Sequence, residues 1–193
     1  MIMQLIFATH NKNKLKEVKS LTSDHIDVLS LDDIHLFEEI EETSLTIEGN
    51  ALLKAKTIYQ QTQINCFADD SGLLVDALNG EPGVYSARYA GEQKNDNDNI
   101  EKLLQELSGK ENRNAHFKTA IALVIGSKEY LFEGIINGKI IAEKKGTDGF
   151  GYDPVFIPDG YTETFAQMSS ETKNAISHRS IAVKKMIAFL NSL

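Results

Sequence analysis

Apolar and polar positions fall in short blocks along this chain, and the blocks alternate between two periods. Leu5-Ile6-Phe7-Ala8 is an unbroken apolar run, the pattern of a short buried strand. Thr9-His10-Asn11 interrupts it, and Leu15, Val18 and Leu21 then recur at a spacing of three, one face of a short helix. Ile26 to Leu31 predicts a second strand. Ile47, Ala51, Ala55 and Ile58 mark a second helix, with Ser44 or Thr46 as its cap. Cys66-Phe67-Ala68 reads as a short strand ending in Asp69-Asp70-Ser71-Gly72, and Leu73 to Val75 is extended again. A turn-rich loop follows at Asn79 to Gly83. Ile100, Leu103, Leu104 and Leu107 give an amphipathic helix behind the polar stretch Lys94 to Asn99. Ala115 to Ile125 and Glu129 to Ile136, parted by Gly126-Ser127-Lys128, predict a hairpin, with Lys139 to Glu143 a candidate third strand. Gly146 to Pro154 is irregular, and a last helix runs from about Ser177 to Asn191 with Ala182, Met186, Phe189 and Leu190 inward. Helices, strands and one hairpin, without repeats, predict an α/β fold on a mixed sheet.

Composition narrows the function classes. A length of 193 residues suits one domain, or one core split into two lobes, and 41% hydrophobic residues suffice for a sizeable core. No run of about 18 apolar residues occurs, so no membrane span is expected, and Met1 to Phe7 lacks the pattern of a signal peptide. The single cysteine, Cys66, cannot form an internal disulfide, which fits a reducing cytoplasm. A net charge of −8 argues against a nucleic-acid partner, whose affinity comes largely from Lys and Arg releasing counterions. A small anion, held by a local basic site, remains open.

Four segments could carry chemistry. Thr9-His10-Asn11-Lys12-Asn13-Lys14 lies between a strand and a helix N-terminus, where unpaired backbone N–H groups and the helix dipole favour an anion. The bland alternative is a helix cap and a solvated lysine face. It is not a P-loop, because GxxxxGK[ST] is absent. Asp69-Asp70-Ser71-Gly72 places two carboxylates at a strand end, where either a divalent cation or an ordinary Asx turn explains them. Adjacent strand residues face opposite ways, so only one of the pair is expected to face a given site. Glu41-Glu42 precedes the second helix, either as dipole partners or as metal ligands. Gly149-Phe150-Gly151-Tyr152-Asp153-Pro154 lets backbone approach a ligand and offers Phe150 for stacking on a base, while Ser177-His178-Arg179 supplies donors or merely a helix start.

Together these segments resemble the inosine triphosphate pyrophosphatase family, enzymes of noncanonical purine nucleoside triphosphates. The shared pattern is Thr9-x-Asn11-x-x-Lys14-x-x-Glu17, Glu42-Thr43, Asn50-Ala51 with Lys54-Ala55, and Ala68-Asp69-Asp70-Ser71-Gly72-Leu73. Pro82-Gly83-Val84-Tyr85-Ser86-Ala87-Arg88-Tyr89, Gly149 to Pro154 and Ser177-His178-Arg179 complete it. The order covers nearly the whole chain. Gly49 and Asp148 depart from it, standing where many members have an acid and a glycine.

The resemblance implies a single catalytic domain over residues 1–193: two α/β lobes on a long mixed sheet with flanking helices and an active-site cleft between the lobes. It also implies a cytoplasmic homodimer and a Mg²⁺ cofactor. The implied reaction cleaves between the α- and β-phosphates of inosine or xanthosine triphosphate. Glu42 and Asp70 would hold the metal, and Asp70 would also orient or deprotonate water. Thr9, His10, Asn11, Lys12, Asn13, Lys14 and Ser71 would hold the phosphates, with Lys173 adding a charge. Phe150 would stack on the base beside Gly151 and Tyr152, while Asp153, His178 and Arg179 would read its edge. Asp69 would hold a second ion or fix the loop. Two other readings stay open: a pyrophosphatase of other modified nucleotides, and a nucleotide-binding module without turnover.

Overall fold

A computed structural model of the chain describes residues 3–22 and 25–193. Met1 and Ile2, the first residues of the Met1–Phe7 segment, lie outside them. Among the described residues six strands form one sheet in the order β2-β1-β3-β4-β5-β6: β1 (Met3–Phe7), β2 (Ile26–Ser30), β3 (Cys66–Val75), β4 (Asn114–Ile125), β5 (Lys128–Ile140) and β6 (Phe156–Pro158). β1 runs parallel to both β2 and β3, whereas β5 and β6 are antiparallel, so the sheet is mixed. Among the described residues five α-helices accompany it: α1 (Lys12–Leu21), α2 (Ile47–Thr62), α3 (Asp96–Glu106), α4 (Ser170–Ile176) and α5 (His178–Leu190). The mixed α/β architecture expected from the periodicities is the one found.

The chain divides into two compact units. The first takes the described residues up to Asp70, Thr119–Gly134 and Arg179–Leu193; the second takes Ser71–Lys118 and Ile135–His178. Each has its own core. In the first, Leu5, Phe7 and Phe67 pack with Val18 of α1 and with Ala182, Val183, Met186 and Leu190 of α5. The Phe7 and Phe67 rings stack at 4.6 Å. The neighbouring strand residues turn the other way, toward α2, whose Ala51, Ala55 and Ile58 are fully buried. In the second unit, Leu73, Val75, Ile100, Leu103, Phe117, Phe156 and Phe165 close a separate core.

Local chemistry explains most boundaries. Thr46 caps α2 by accepting from the Gly49 amide at 3.0 Å, which decides between the two expected caps. The β4–β5 turn is Gly126-Ser127, both at positive φ (52° and 70°), as a two-residue hairpin turn requires. Four expectations need correction. β3 is one continuous strand through Asp69-Asp70-Ser71-Gly72, not a strand ending in a turn. α3 begins at Asp96, because Asn95 caps it by accepting from Asp98 N, so the polar stretch is already its first turn. Lys139 and Ile140 continue β5 instead of starting a third strand. β6 and α4 were not expected, being too short to show a period.

Cys66 illustrates the first unit's packing. It is fully buried, and its Sγ–H donates to the Ala55 carbonyl at 3.2 Å. Burial pushes the thiol up to about 12. Since only the thiolate is nucleophilic, native protein should leave a disulfide reagent unreacted at pH 8 and react with one equivalent in denaturant. Stoichiometric reaction of the folded protein would show that α2 does not seal this face.

Candidate active site

The site is organised by β3. Alternation along the strand sends Asp69 and Asp70 to opposite faces, and each carboxylate meets its own set of cations. Asp69, only 1% exposed, accepts from Lys14 Nζ of α1 at 3.1 Å and from Arg179 Nε of α5 at 3.2 Å. Arg179 Nη1 also pairs with Glu17, one helical turn beyond Lys14. Burial alone would raise the Asp69 pKa, but Lys14 and Arg179 outweigh it and hold the carboxyl well below the usual range. Burial also acts on the cations. It pulls Lys14 down, whereas for Arg179 the charges of Asp69 and Glu17 overcome it and raise the pKa.

Asp70 faces α2. Asn50 Nδ2 approaches it at 3.4 Å and Lys54 Nζ at 3.9 Å, while Lys54 also binds Glu42 Oε1 at 2.6 Å. Asn50 in turn accepts from Ser44 N at 2.9 Å, tying the segment before α2 to the helix. Burial pushes the Asp70 carboxyl up to about 6, with Lys54 and Lys14 opposing and Glu42 and Asp69 assisting. On Lys54 itself, burial is outweighed by the carboxylates, so its pKa is raised.

Among the described residues no three His, Cys, Asp or Glu side chains converge on one metal position. Glu42 and Asp70 nevertheless converge on a single cation, the Lys54 ammonium. Two carboxylates suit a hard divalent ion that keeps substrate phosphate and water as its other ligands. The donor set therefore fits such an ion.

The Thr9–Lys14 segment lies at the N-terminus of α1, as expected, but differs in detail. Asn11 is the cap, and its side chain accepts from Asn13 N and Lys14 N at 3.0 and 3.1 Å. Those amides are thus engaged by Asn11 instead of presented unpaired, because Asn is among the strongest caps. Thr9 Oγ1 accepts from Asn11 N at 3.1 Å. Lys12 and Asn13 are exposed; His10, also exposed, lies 3.3 Å from the Glu38 carbonyl and 3.7 Å from Asp32. Ser71 is half-buried on β3 next to Asp70.

The glycine-rich segment belongs to the second unit. Phe150 N donates to Asp153 Oδ2 at 2.9 Å, and Lys173 Nζ donates to the same oxygen at 2.7 Å. Lys173 Nζ also lies 4.7 Å from the Phe150 ring centroid. Gly149, at φ 79°, has no room for a Cβ, which would strike the Asp153 carboxylate. Lys173, expected to add a positive charge at the phosphates, lies here against Phe150 and Asp153. Tyr152 is buried in the core of the second unit, with its hydroxyl donating to the Ser86 carbonyl at 2.8 Å. His178 stacks flat on Phe117 at 4.7 Å, whereas Arg179 serves Asp69 and Glu17 in the first unit. Successive helix residues diverge by about 100°, which matches their different partners. Lys54 and Glu17 stood in the shared pattern without a role. Their spacing, four from Asn50 and three from Lys14, marked them as neighbours on a helix face.

Residues 5–189 match the Ham1 family along almost the entire chain. The chain belongs to the Ham1 family. A relative from Flavobacterium psychrophilum, named dITP/XTP pyrophosphatase, is 56% identical over 190 residues, 98% of this chain and all of that one. Among solved structures, a HAM1 protein from Coxiella burnetii superposes with a TM-score of 0.92 at 35% identity over the full length of both chains. The Staphylococcus aureus Ham1 protein gives 0.89 at 40% identity over 98% of each. The Ham1 family fold thus extends over both units.

Asp69 carries the clearest energetic consequence in this Ham1 chain. Replacing it by Asn removes the charge shared by the buried Arg179 and the half-buried Lys14, and Asp69→Asn should destabilise the protein by about 3–5 kcal/mol in denaturant titration. Its pKa lies below the ordinary 3.8. The stabilisation is therefore complete above that value and lost as pH falls below it. Wild type should lose more stability than Asp69→Asn on acidification below about pH 4. Equal losses would place the acid sensitivity on other carboxylates.

Proposed function

We propose that the chain hydrolyses noncanonical purine nucleoside triphosphates, those of inosine, deoxyinosine and xanthosine, to the monophosphate and pyrophosphate. The observation that carries this reading is whole-length similarity to Ham1 relatives named dITP/XTP pyrophosphatase. It is a hydrolase of an anhydride bond, and its residues divide the work as follows.

Asp70 is the general base. A carboxyl raised to about 6 is ionised at neutral pH yet basic enough to take a proton from water. Its oxygen, facing α2, receives the proton as that water adds to the α-phosphorus. Lys54 keeps Glu42 and Asp70 apart as charges and close as neighbours. Glu42 and Asp70 would hold Mg²⁺, which when bound supplies charge neutralisation to phosphate oxygens. Thr9, Asn11, Lys14 and Ser71 hold the phosphates, with the α1 dipole favouring negative charge. Asp69 and Arg179 position Lys14 for this task. The reading includes a homodimer in the cytoplasm, as the family resemblance implies.

Base selection falls to the Phe150 loop. Phe150 stacks on the purine, and Lys173, already against that ring, donates to the keto oxygen at position six. Adenine carries a donor there, so donor would face donor and buried groups would go unpaired at about 1–3 kcal/mol each. That is about tenfold or more in discrimination per group.

Two outcomes test this. Asp70→Asn should lower kcat for inosine triphosphate by a factor on the order of 10²–10⁴ while the thermal melt stays intact. Near-normal turnover would move the base elsewhere, and release of the diphosphate with free phosphate would refute the cleavage position. Lys173→Met should narrow the kcat/KM advantage of inosine triphosphate over ATP by about tenfold; equal slowing of both substrates would remove Lys173 from base selection.

A further inference from the structure

The loop that carries Phe150 is kinked at both sides, with Gly149 at φ 79° and Gly151 at φ 59°. Glycine permits this shape but does not enforce it. One bond within the segment restrains it, Phe150 N to Asp153 Oδ2, and a second ties it to Ser86, whose carbonyl accepts from the Tyr152 hydroxyl. A third comes from α3. Asp96, the first residue of α3, accepts from Gly151 N at 2.7 Å. This is the short distance of a charge-assisted bond.

An acid in a first helical turn usually needs no explanation beyond the helix dipole. Here the helix is already capped by Asn95, which accepts from Asp98 N at 3.1 Å. The Asp96 oxygen is spent instead on the loop amide. The next residue repeats the contact farther back along the same loop: Lys144 Nζ donates to Asn97 Oδ1 at 3.1 Å. The first turn of α3 thus holds both limbs of the segment that presents Phe150.

We propose that Asp96 is a positioning residue for base recognition. By fixing the Gly151 amide it sets the angle at which the Phe150 ring is offered, and it tunes affinity for the purine without touching the substrate. The inference rests on the reading of Phe150 as the stacking face.

The test compares Asp96→Ala and Asp96→Asn, using kinetics with inosine triphosphate and calorimetry with inosine monophosphate and inorganic pyrophosphate. Asp96→Ala should raise KM about three- to tenfold, the effect of one lost hydrogen bond, with kcat within about twofold. Asp96→Asn, whose amide oxygen still accepts, should recover most of the loss. Inosine monophosphate should bind correspondingly more weakly, and pyrophosphate, which has no base, equally well. In a Phe150→Ala background the Asp96→Ala effect should vanish. Unchanged KM, an equal loss for pyrophosphate, or full additivity with Phe150→Ala would overturn the assignment. If wild type failed to turn over inosine triphosphate, the proposed activity would fall, while the two calorimetric titrations would still decide the role of Asp96.

Discussion

Consecutive residues of a β-strand cannot face the same way, and this one restriction shapes the first unit. Asp69 and Asp70 are adjacent, and both are buried. A buried carboxylate needs a cation or must give up its charge. Two facing opposite ways need cations from two sides. Lys14 and Arg179 come from α1 and α5 on one side, Lys54 from α2 on the other. The helices that cover the sheet are therefore also its charge partners, and the two acids acquire opposite characters. Asp69, doubly paired, is held ionised; Asp70 is raised toward neutrality by its burial, with Glu42 and Asp69 assisting and Lys54 and Lys14 opposing. The arrangement makes one carboxylate a strut and gives the other the character that the proposed reaction asks of a base.

The second unit solves a different problem. It carries an aromatic ring, Phe150, that is not fully buried. Tyr152 and Asp153 anchor the loop into the core, and the ring between the glycines stays half-buried against an ammonium. Pairing Lys173 with Asp153 keeps that ammonium from being an isolated buried charge.

The elements with a clear period were legible in the sequence. Leu15, Val18 and Leu21 announced α1, and Ile100 to Leu107 announced α3. β3 was misread because Asp-Asp-Ser-Gly has the composition of a turn. What overrides that preference is neutralisation by Arg179, 110 residues away, which no local pattern encodes. The same holds for the candidate site. Residue types such as Asp70, Glu42 and Lys14 could be picked out, as could the opposed faces of the acid pair. Their partners could not, because Lys173, Tyr152 and Arg179 are assigned by packing. β6 and α4, of three and seven residues, are too short to carry a period at all.

The interleaving of the two units sets an order of assembly on the ribosome. Every segment of the second unit lies between Ser71 and His178, so all of it has been synthesised before Arg179. The first unit, although it contributes the earliest strand, has no complete interior until α5 supplies Ala182, Val183, Met186 and Leu190. Until then Asp69 lacks Arg179, and the hydrophobic side of β1 has nothing from α5 to cover it. The half of the protein that is started first is finished last, and a nascent chain stalled before Arg179 carries the aromatic loop without the completed charge network.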